Sequence, residues 1–314
     1  MRVVRDWRNG PPEFRGAVAP IGNFDGVHRG HRALIAQARS EAAKSGAAVA
    51  AIVFEPHPVE FFKPGGPSFR LTPFDAKARL LAAEGLDVLF VLRFDAELAA
   101  MPPGAFVGDV LADGLGIGAV IVGADFRFGK GRAGTVETLR AEGGKRGIAV
   151  LEAATVEAEP GHKVSSTRIR TALREGRTRD AAHDLGHWWT VEGHVADGDR
   201  RGRTIGFPTA NLALRGTMEP ALGVYAVRVT LEEGGETRIY DGVANFGRRP
   251  TFDKTDVLLE VHLFDFAGDL YGKRIAVAFI DYVRAERKFP GLDALKAQIA
   301  ADCETAKGIL AKHA

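Results

Sequence analysis

The chain has 314 residues, 46% of them hydrophobic and 26% charged, an ordinary globular composition that excludes a disordered, collagenous or disulfide-stapled protein. With 42 basic against 40 acidic residues the formal net charge is +2, so no basic footprint points to nucleic acid, and the single cysteine, Cys303, excludes an intramolecular disulfide or a Cys-x-x-Cys centre. The longest apolar runs, 47–54 and 117–122, fall far short of the roughly 20 residues that cross a bilayer, and residues 1–10 lack the apolar segment of a secretory signal; a cytoplasmic protein of about two domains is expected.

From residue 18 to 176, short β-branched runs alternate with helical patterns, which predicts a parallel α/β sheet. Strands are expected at 18–21, 48–54, 88–94, 119–123 and 148–153, with helices over 31–43, 74–83, 104–112 and 135–146. The charged segment 174–187 reads as a helix that closes the first domain, giving domains 1–186 and 187–314. Beyond it the texture is all-β. Strands at 188–195, 224–232, 238–245, 258–266 and 275–283, separated by Gly-rich turns, predict a barrel or sandwich. The chain ends in a helix whose Leu292, Leu295, Ile299, Cys303, Ala306 and Leu310 recur every three or four residues. On that stripe Cys303 reads as a small buried hydrophobe, because no base lies near it in sequence.

The most informative stretch is GNFDGVHRGH, residues 22–31, which follows the first strand and opens the first long helix. A strand, a Gly-rich turn and a helix N-terminus make an anion site. Gly22, Gly26 and Gly30 let the backbone of Asn23, Phe24 and their neighbours approach a phosphate. His28 and His31, three residues apart, can both donate hydrogen bonds to triphosphate oxygens, where charge grows during nucleotidyl transfer. Zinc is disfavoured, since neither His-Glu-x-x-His nor a cysteine partner is present.

Downstream, Ser165, Thr167 and Arg168 in SSTRIR stand at an expected helix start; alone they would be an ordinary cap with surface charge. Asp125 lies in GADFRFG, a strand end running into a glycine loop, where open α/β sheets bind ligands. GLGIGA, 114–119, has dinucleotide-loop spacing but precedes its strand, so it is set aside.

In the second half, Gly202, Arg203 and Gly206 form a glycine-rich basic loop suited to phosphates. It ends in Pro-Thr-Ala-Asn, whose Thr209 and Asn211 offer neutral oxygens to Mg²⁺; a turn fixed by the proline explains the same residues equally well. Glu260 interrupts the apolar run LLEVHLFDF, either as a base facing Thr209 and Asn211 or as a solvent-facing residue of a half-exposed strand.

Taken together, the motifs GNFDGVHRGH, FEPHP, GADFRFG, SSTRIR, GRTIGFPTAN, GVYAV, GVANFGRRPTF, EVHLFDF and YGKRI occur in this order, and the chain resembles the bifunctional riboflavin kinase/FMN adenylyltransferase family over nearly its whole length. The resemblance implies a Rossmann-like nucleotidyltransferase domain followed by a six-stranded Greek-key barrel. The implied substrates and products are ATP, riboflavin, FMN and FAD, with Mg²⁺ as cofactor. It implies that His28, His31, Ser165, Thr167 and Arg168 bind ATP phosphates and that Asp125 helps place ATP or its metal. Phe62, Phe106 and Phe128 would surround the isoalloxazine, Thr209 and Asn211 would hold Mg-ATP, and Glu260 would act on the ribityl 5′-hydroxyl. The chain departs from the family at His187-Trp188-Trp189, where Arg-Pro-Tyr is usual, and at His194, where an arginine is usual; these changes leave the domain junction open. Two rival readings are a flavin-binding regulator without catalysis and another His-x-Gly-His nucleotidyltransferase with an appended β domain. Self-association is not decided by the sequence.

Overall fold

The short apolar runs of the N-terminal half pair in parallel. In the computed structural model, which describes residues 1–196, 206–214, 216–233, 235–250 and 255–313, the chain divides into two units. One comprises Met1–Pro67 and Phe74–Val164, the other Ser68–Pro73 and Ser165–Ala314.

In the first unit β1 (Arg2–Val4), β2 (Val18–Pro20), β3 (Ala50–Glu55), β4 (Val88–Arg93), β5 (Ala119–Gly123) and β6 (Ala149–Ala153) form two parallel ladders, β1-β4-β3 and β2-β5-β6. Isolated parallel bridges, Val18 to Val49 and Ile21 to Ile52, join them. The order therefore runs 1-4-3-2-5-6 and reverses at β2, which lies between β3 and β5, the place where open α/β sheets leave a crevice beyond their strand ends. The sequence reading begins the sheet at Val18 and misses β1, whose three residues are largely exposed and carry no alternation.

The helices of this unit are α1 (Arg29–Ser45), α2 (Pro58–Phe62), α3 (Phe74–Ala83), α4 (Ala96–Ala100), α5 (Pro103–Ala105) and α6 (Val136–Gly144). The helix expected over 104–112 is α5 continued as a π-helix, Phe106–Gly114. Alternate strand residues bury opposite faces: Ile52, Phe90 and Val120 meet Val107, Val110 and Leu139, while Ala51, Val53 and Leu89 meet Ile35 and Leu81. Each such aliphatic side chain contributes about 1.5–3 kcal/mol on burial, and cover on both faces explains why these strands read as unbroken apolar runs. GLGIGA is a packing element, as its position before β5 implies: a Cβ at Gly114 would lie 2.4 Å from the Trp7 carbonyl oxygen, and one at Gly118 2.6 Å from that of Gly16. A hairpin of β7 (Glu157–Glu159) and β8 (His162–Lys163) ends the unit.

In the second unit α7 (Ser166–Arg174) and α8 (Thr178–Leu185) precede six antiparallel strands, β9 (Thr190–His194), β10 (Ala210–Ala213), β11 (Gly223–Glu233), β12 (Glu236–Pro250), β13 (Thr255–Leu263) and β14 (Arg274–Ala285). Their order is β10-β13-β12-β11-β14-β9, and a bridge from Ala196 to Asn211 draws the two edges into a nearly closed barrel. Pattern reading missed β10, taking Pro-Thr-Ala-Asn as loop; Asn211 instead lies within a ladder. Leu212, Tyr225, Val227, Phe246, Leu259, Val261 and Phe279 fill the interior. The C-terminal helix Leu292–Leu310 covers part of the outside, packing Cys303, Ala306 and Leu310 on Val224, Ala226, Val243 and Ile280. Its apolar stripe is buried only at this end, since Leu292 is exposed. Burial pushes the Cys303 thiol up, in keeping with a packing role. The Trp-Trp departure is absorbed by packing: Trp189 is sealed against Phe279 and donates Nε1–H to the Leu71 carbonyl at 3.0 Å.

Candidate active sites

At the end of β2 the chain is pinned on both sides, Ile21 N–H donating to Ile121 and Gly22 N–H to Ile52, so loop 22–28 leaves the sheet at the point of strand reversal. Phe24 and Val27 turn their side chains into the core with Ile35, which leaves only the Phe24 backbone for a ligand. Both residues have positive φ, 50° and 41°, and Gly26 has 89°; such backbone persists in non-glycine residues only when the surroundings hold it. His28 is the N-cap of α1 rather than part of its first turn, and its Nδ1 accepts the His31 backbone N–H at 3.3 Å. That bond makes Nδ1 an acceptor, so the proton of the neutral ring sits on Nε2.

The His28 and His31 rings stack with centroids 3.6 Å apart. A Cβ on Gly30 would lie 3.2 Å from the His28 ring, so a glycine is what lets the pair form. A Cβ on Gly22 would make an ordinary 3.4 Å contact with Phe24, so Gly22 is not required sterically. His31 Nδ1 is buried with no hydrogen-bond partner among the described residues. Burial first, then the charges of His28, Lys77 and Lys163, hold His31 well below the usual histidine range.

Beside this loop lies a cleft of about 710 Å³. Gly22, Asn23 and Asp125 line it together with Phe62, Phe106 and Phe128, so the structure gathers the expected aromatic and loop residues around one space. Phe106 and Phe128 are nearly sealed, whereas Phe62 is 64% exposed. Phe126, the other aromatic of GADFRFG, also lines the cleft, as do Phe54 and Phe94, which were not singled out from the sequence. The signal was present, since Phe54 and Phe94 close the strands expected at 48–54 and 88–94, and ligands of such sheets lie beyond strand ends. Asp125 bonds Lys163 at 2.8 Å, which holds its carboxyl below the usual range.

Ser165, Thr167 and Arg168 fall in the second unit. Ser165 caps α7, its Oγ accepting the Arg168 N–H at 3.3 Å; Thr167 is exposed. The Arg168 guanidinium donates to the buried Asp184 of α8 at 2.7 Å, a partner the sequence did not reveal.

In the barrel, Glu260 of β13 stands directly opposite Asn211 of β10 and Asn245 of β12. Directly opposed residues share a face, with Cβ atoms about 5 Å apart, and Leu259 and Val261 on either side of Glu260 fill the interior, so this polar row faces outward. Glu260 is half-buried. Asn211 is buried and its Oδ1 has no hydrogen-bond partner among the described residues. The segment leading to Thr209 is fixed from β13, where His262 Nδ1 lies 2.8 Å from the Pro208 carbonyl oxygen and its ring 5.6 Å from that of Phe207. Gly206 has φ +88°, a conformation that favours glycine. Gly202 and Arg203 lie outside the described residues.

A histidine-bearing loop at the reversal of a parallel sheet, an aromatic cleft beside it and a barrel with a carboxylate between two asparagines define a two-part, nucleotide-dependent transferase. The FAD synthetase family model matches residues 11–168 and the riboflavin kinase model residues 185–310. Bifunctional riboflavin kinase/FMN adenylyltransferases are similar over nearly full length: that of Escherichia coli (strain K12) is 43% identical, covering 98% of this chain and 97% of the relative, and that of Pseudomonas fluorescens is 41% identical, covering 100% and 99%. A solved structure from Streptococcus pneumoniae, described as a macrolide-efflux protein, superimposes with a TM-score of 0.86 at 32% identity, covering 97% of this chain and 98% of its own. The chain belongs to the bifunctional riboflavin kinase/FMN adenylyltransferase family and carries both of its domains. No helix among the described residues is long and apolar enough to cross a membrane.

Proposed function

We propose that the two activities, riboflavin + ATP to FMN + ADP and FMN + ATP to FAD + pyrophosphate, are carried by separate sites, the kinase on residues 187–314 and the adenylyltransferase on residues 1–186. The family models, one ending at 168 and the other beginning at 185, support a change of domain within this stretch. The observation that carries the adenylyltransferase assignment is the junction of loop and cleft, where Gly22, Asn23 and Asp125 share one space with Phe62, Phe106 and Phe128.

In this reading the isoalloxazine of FMN lies among those phenylalanines and its phosphate oxygen attacks the α-phosphorus of ATP, whose bond to pyrophosphate breaks. His28 donates from Nε2, and His31, held well below the usual histidine range, gains basicity when an anion arrives, because negative charge beside a buried imidazole favours protonation. Fixed donors of this kind stabilise the charge that develops on the phosphates, and the α1 N-terminus adds its dipole. Gly26 and Gly30 keep the loop open and Phe24 contributes backbone only; for Ser165, Thr167 and Arg168 the family resemblance implies a role in binding ATP phosphates.

In the barrel, Glu260 takes the proton of the ribityl 5′-hydroxyl as that oxygen attacks the γ-phosphorus and ADP leaves. The sequence assigns Gly202, Arg203 and Gly206 to the phosphates, and Thr209 and Asn211 would hold Mg²⁺. The fit to a magnesium ion rests on the Asn211 Oδ1, which has no hydrogen-bond partner among the described residues, a neutral oxygen of the kind such an ion takes alongside nucleotide phosphates. When bound, the ion neutralises phosphate charge during transfer. We place both reactions in the cytoplasm, with these small molecules as partners; the single cysteine and near-zero net charge support this.

The test is a time course of the purified protein with riboflavin and Mg-ATP, the flavins separated by chromatography. FMN appearing first and FAD after it is expected. FMN alone would remove the adenylyltransferase assignment, and no conversion would remove both.

A further inference from the structure

Lys77, on α3, is 1% exposed, and a lysine cut off from water is costly unless its ammonium is both paired and hydrogen-bonded. Its Nζ reaches Glu55 Oε1 at the end of β3, 2.7 Å away, and the main-chain carbonyl oxygen of Asn23, 3.2 Å away. One buried cation thus joins a helix, a strand end and the loop that leads into His28 and His31. Asn23 lines the aromatic cleft. The next turns of this loop, at Phe24 and Val27, are held in positive φ by side chains buried in the core. On the other flank Gly22 is held by Ile52, and between these anchors the Asn23 carbonyl is tied to Lys77.

We infer that Lys77 is a positioning residue for adenylyl transfer: clamped by Glu55, its ammonium fixes the Asn23 carbonyl and so sets the path of the loop that presents His28 and His31 to the triphosphate. The inference rests on the assignment of that loop to FMN adenylylation. A lysine suits this place because its ammonium has three donors, enough to serve the carboxylate and the carbonyl together. The ammonium also lies close enough to His31 for its charge to act on that ring, so the same group adds positive potential beneath an incoming polyphosphate.

The double variant Lys77→Met/Glu55→Gln separates this role from simple charge compensation, because it removes both members of the pair and leaves no unpaired buried charge. Thermal melting and riboflavin phosphorylation in the same chain report folding, and FAD formation from supplied FMN reports the loop. The expected result is a variant that melts near the parent and makes FMN normally, yet loses about 100-fold in kcat/KM for FAD formation, the scale of a misplacement of about 1 Å at a reacting centre. FAD formation within threefold of the parent would overturn the proposal. If the double variant melts early, Lys77→Met alone is compared per folded molecule: a raised KM for ATP or a lowered kcat supports positioning, and unchanged constants overturn it. His31→Ala is assayed alongside. If it still makes FAD, the reading of the loop fails; if it is inactive while the Lys77 variants are active, the fault lies with the role given to Lys77.

Discussion

At the proposed adenylylation site the two imidazoles, His28 and His31, lie within ten consecutive residues, 22–31, whereas in the barrel Asn211, Asn245 and Glu260 come from three strands and meet only through their register. The first arrangement is local. A strand end, two positive-φ residues and a helix cap fix the two imidazoles, and the long-range contribution is a scaffold beneath them. The second is non-local, since the shift of any one strand by a residue would turn its member of the row to the barrel interior. The adenylylation loop should therefore be sensitive to small backbone changes, and the kinase row to the chemistry of the side chain at its centre.

The largest expected effect tests that centre. Glu260→Gln keeps size and register and removes the proposed base, so FMN formation should fall by about 10²–10⁴, the range for a positioned general base, while FAD formation from supplied FMN is unchanged. Normal phosphorylation of riboflavin would take Glu260 out of the mechanism. The reciprocal change is His31→Ala, for which FAD formation should fall by roughly 10²–10³, as for loss of one preorganised donor, with FMN accumulating from riboflavin. Equal loss of both activities in either variant would show that the sites are not independent. Both are read from rates of the two half-reactions measured separately.

How much of each site was legible follows from the same contrast. The order of parallel runs and helices, the loop at residues 22–31 and the closeness of His28 and His31 within it were readable because their signals are periodic or contiguous. Strand β10 was not, because its four residues follow Pro-Thr and carry an asparagine whose burial depends on β13. Lys77 was invisible for a related reason: within FDAKARLLAA it looks like one more solvent-facing charge of an amphipathic helix, and only the approach of the β3 end and the loop to α3 makes it buried. Glu260 was ambiguous between a base facing Thr209 and Asn211 and a solvent-facing residue, and its alignment with Asn211 appears only in the ladder.

A smaller effect is expected where the local arrangement is tightest. Gly30→Ala adds a methyl 3.2 Å from the His28 ring, so the ring must give by a few tenths of an ångström and the stack with His31 opens. FAD formation should drop by about tenfold, since the donors remain but are displaced, and riboflavin phosphorylation should not change. An alanine variant with parental FAD kinetics would show that the stacked geometry is not what the reaction uses.

The smallest effect concerns stability, and its sign follows from His31. Burial and the neighbouring charges of His28, Lys77 and Lys163 lower its affinity for a proton in the folded chain relative to the ordinary value of 6.5. The unfolded chain therefore binds more protons there as pH falls below about 6.5, and stability falls with it; above that pH the contribution is complete. One such proton gives a slope of at most about 1.4 kcal/mol per pH unit. Melting of the ligand-free protein between pH 5.5 and 7.5 should show this decline, and His31→Ala should flatten it relative to the parent. Parallel curves for the two proteins would mean that the imidazole takes up its proton equally in both states. A nucleotide reverses the local charge, so saturating ATP should also weaken the pH dependence of the parent, a change the barrel row, which has no such buried histidine, does not produce.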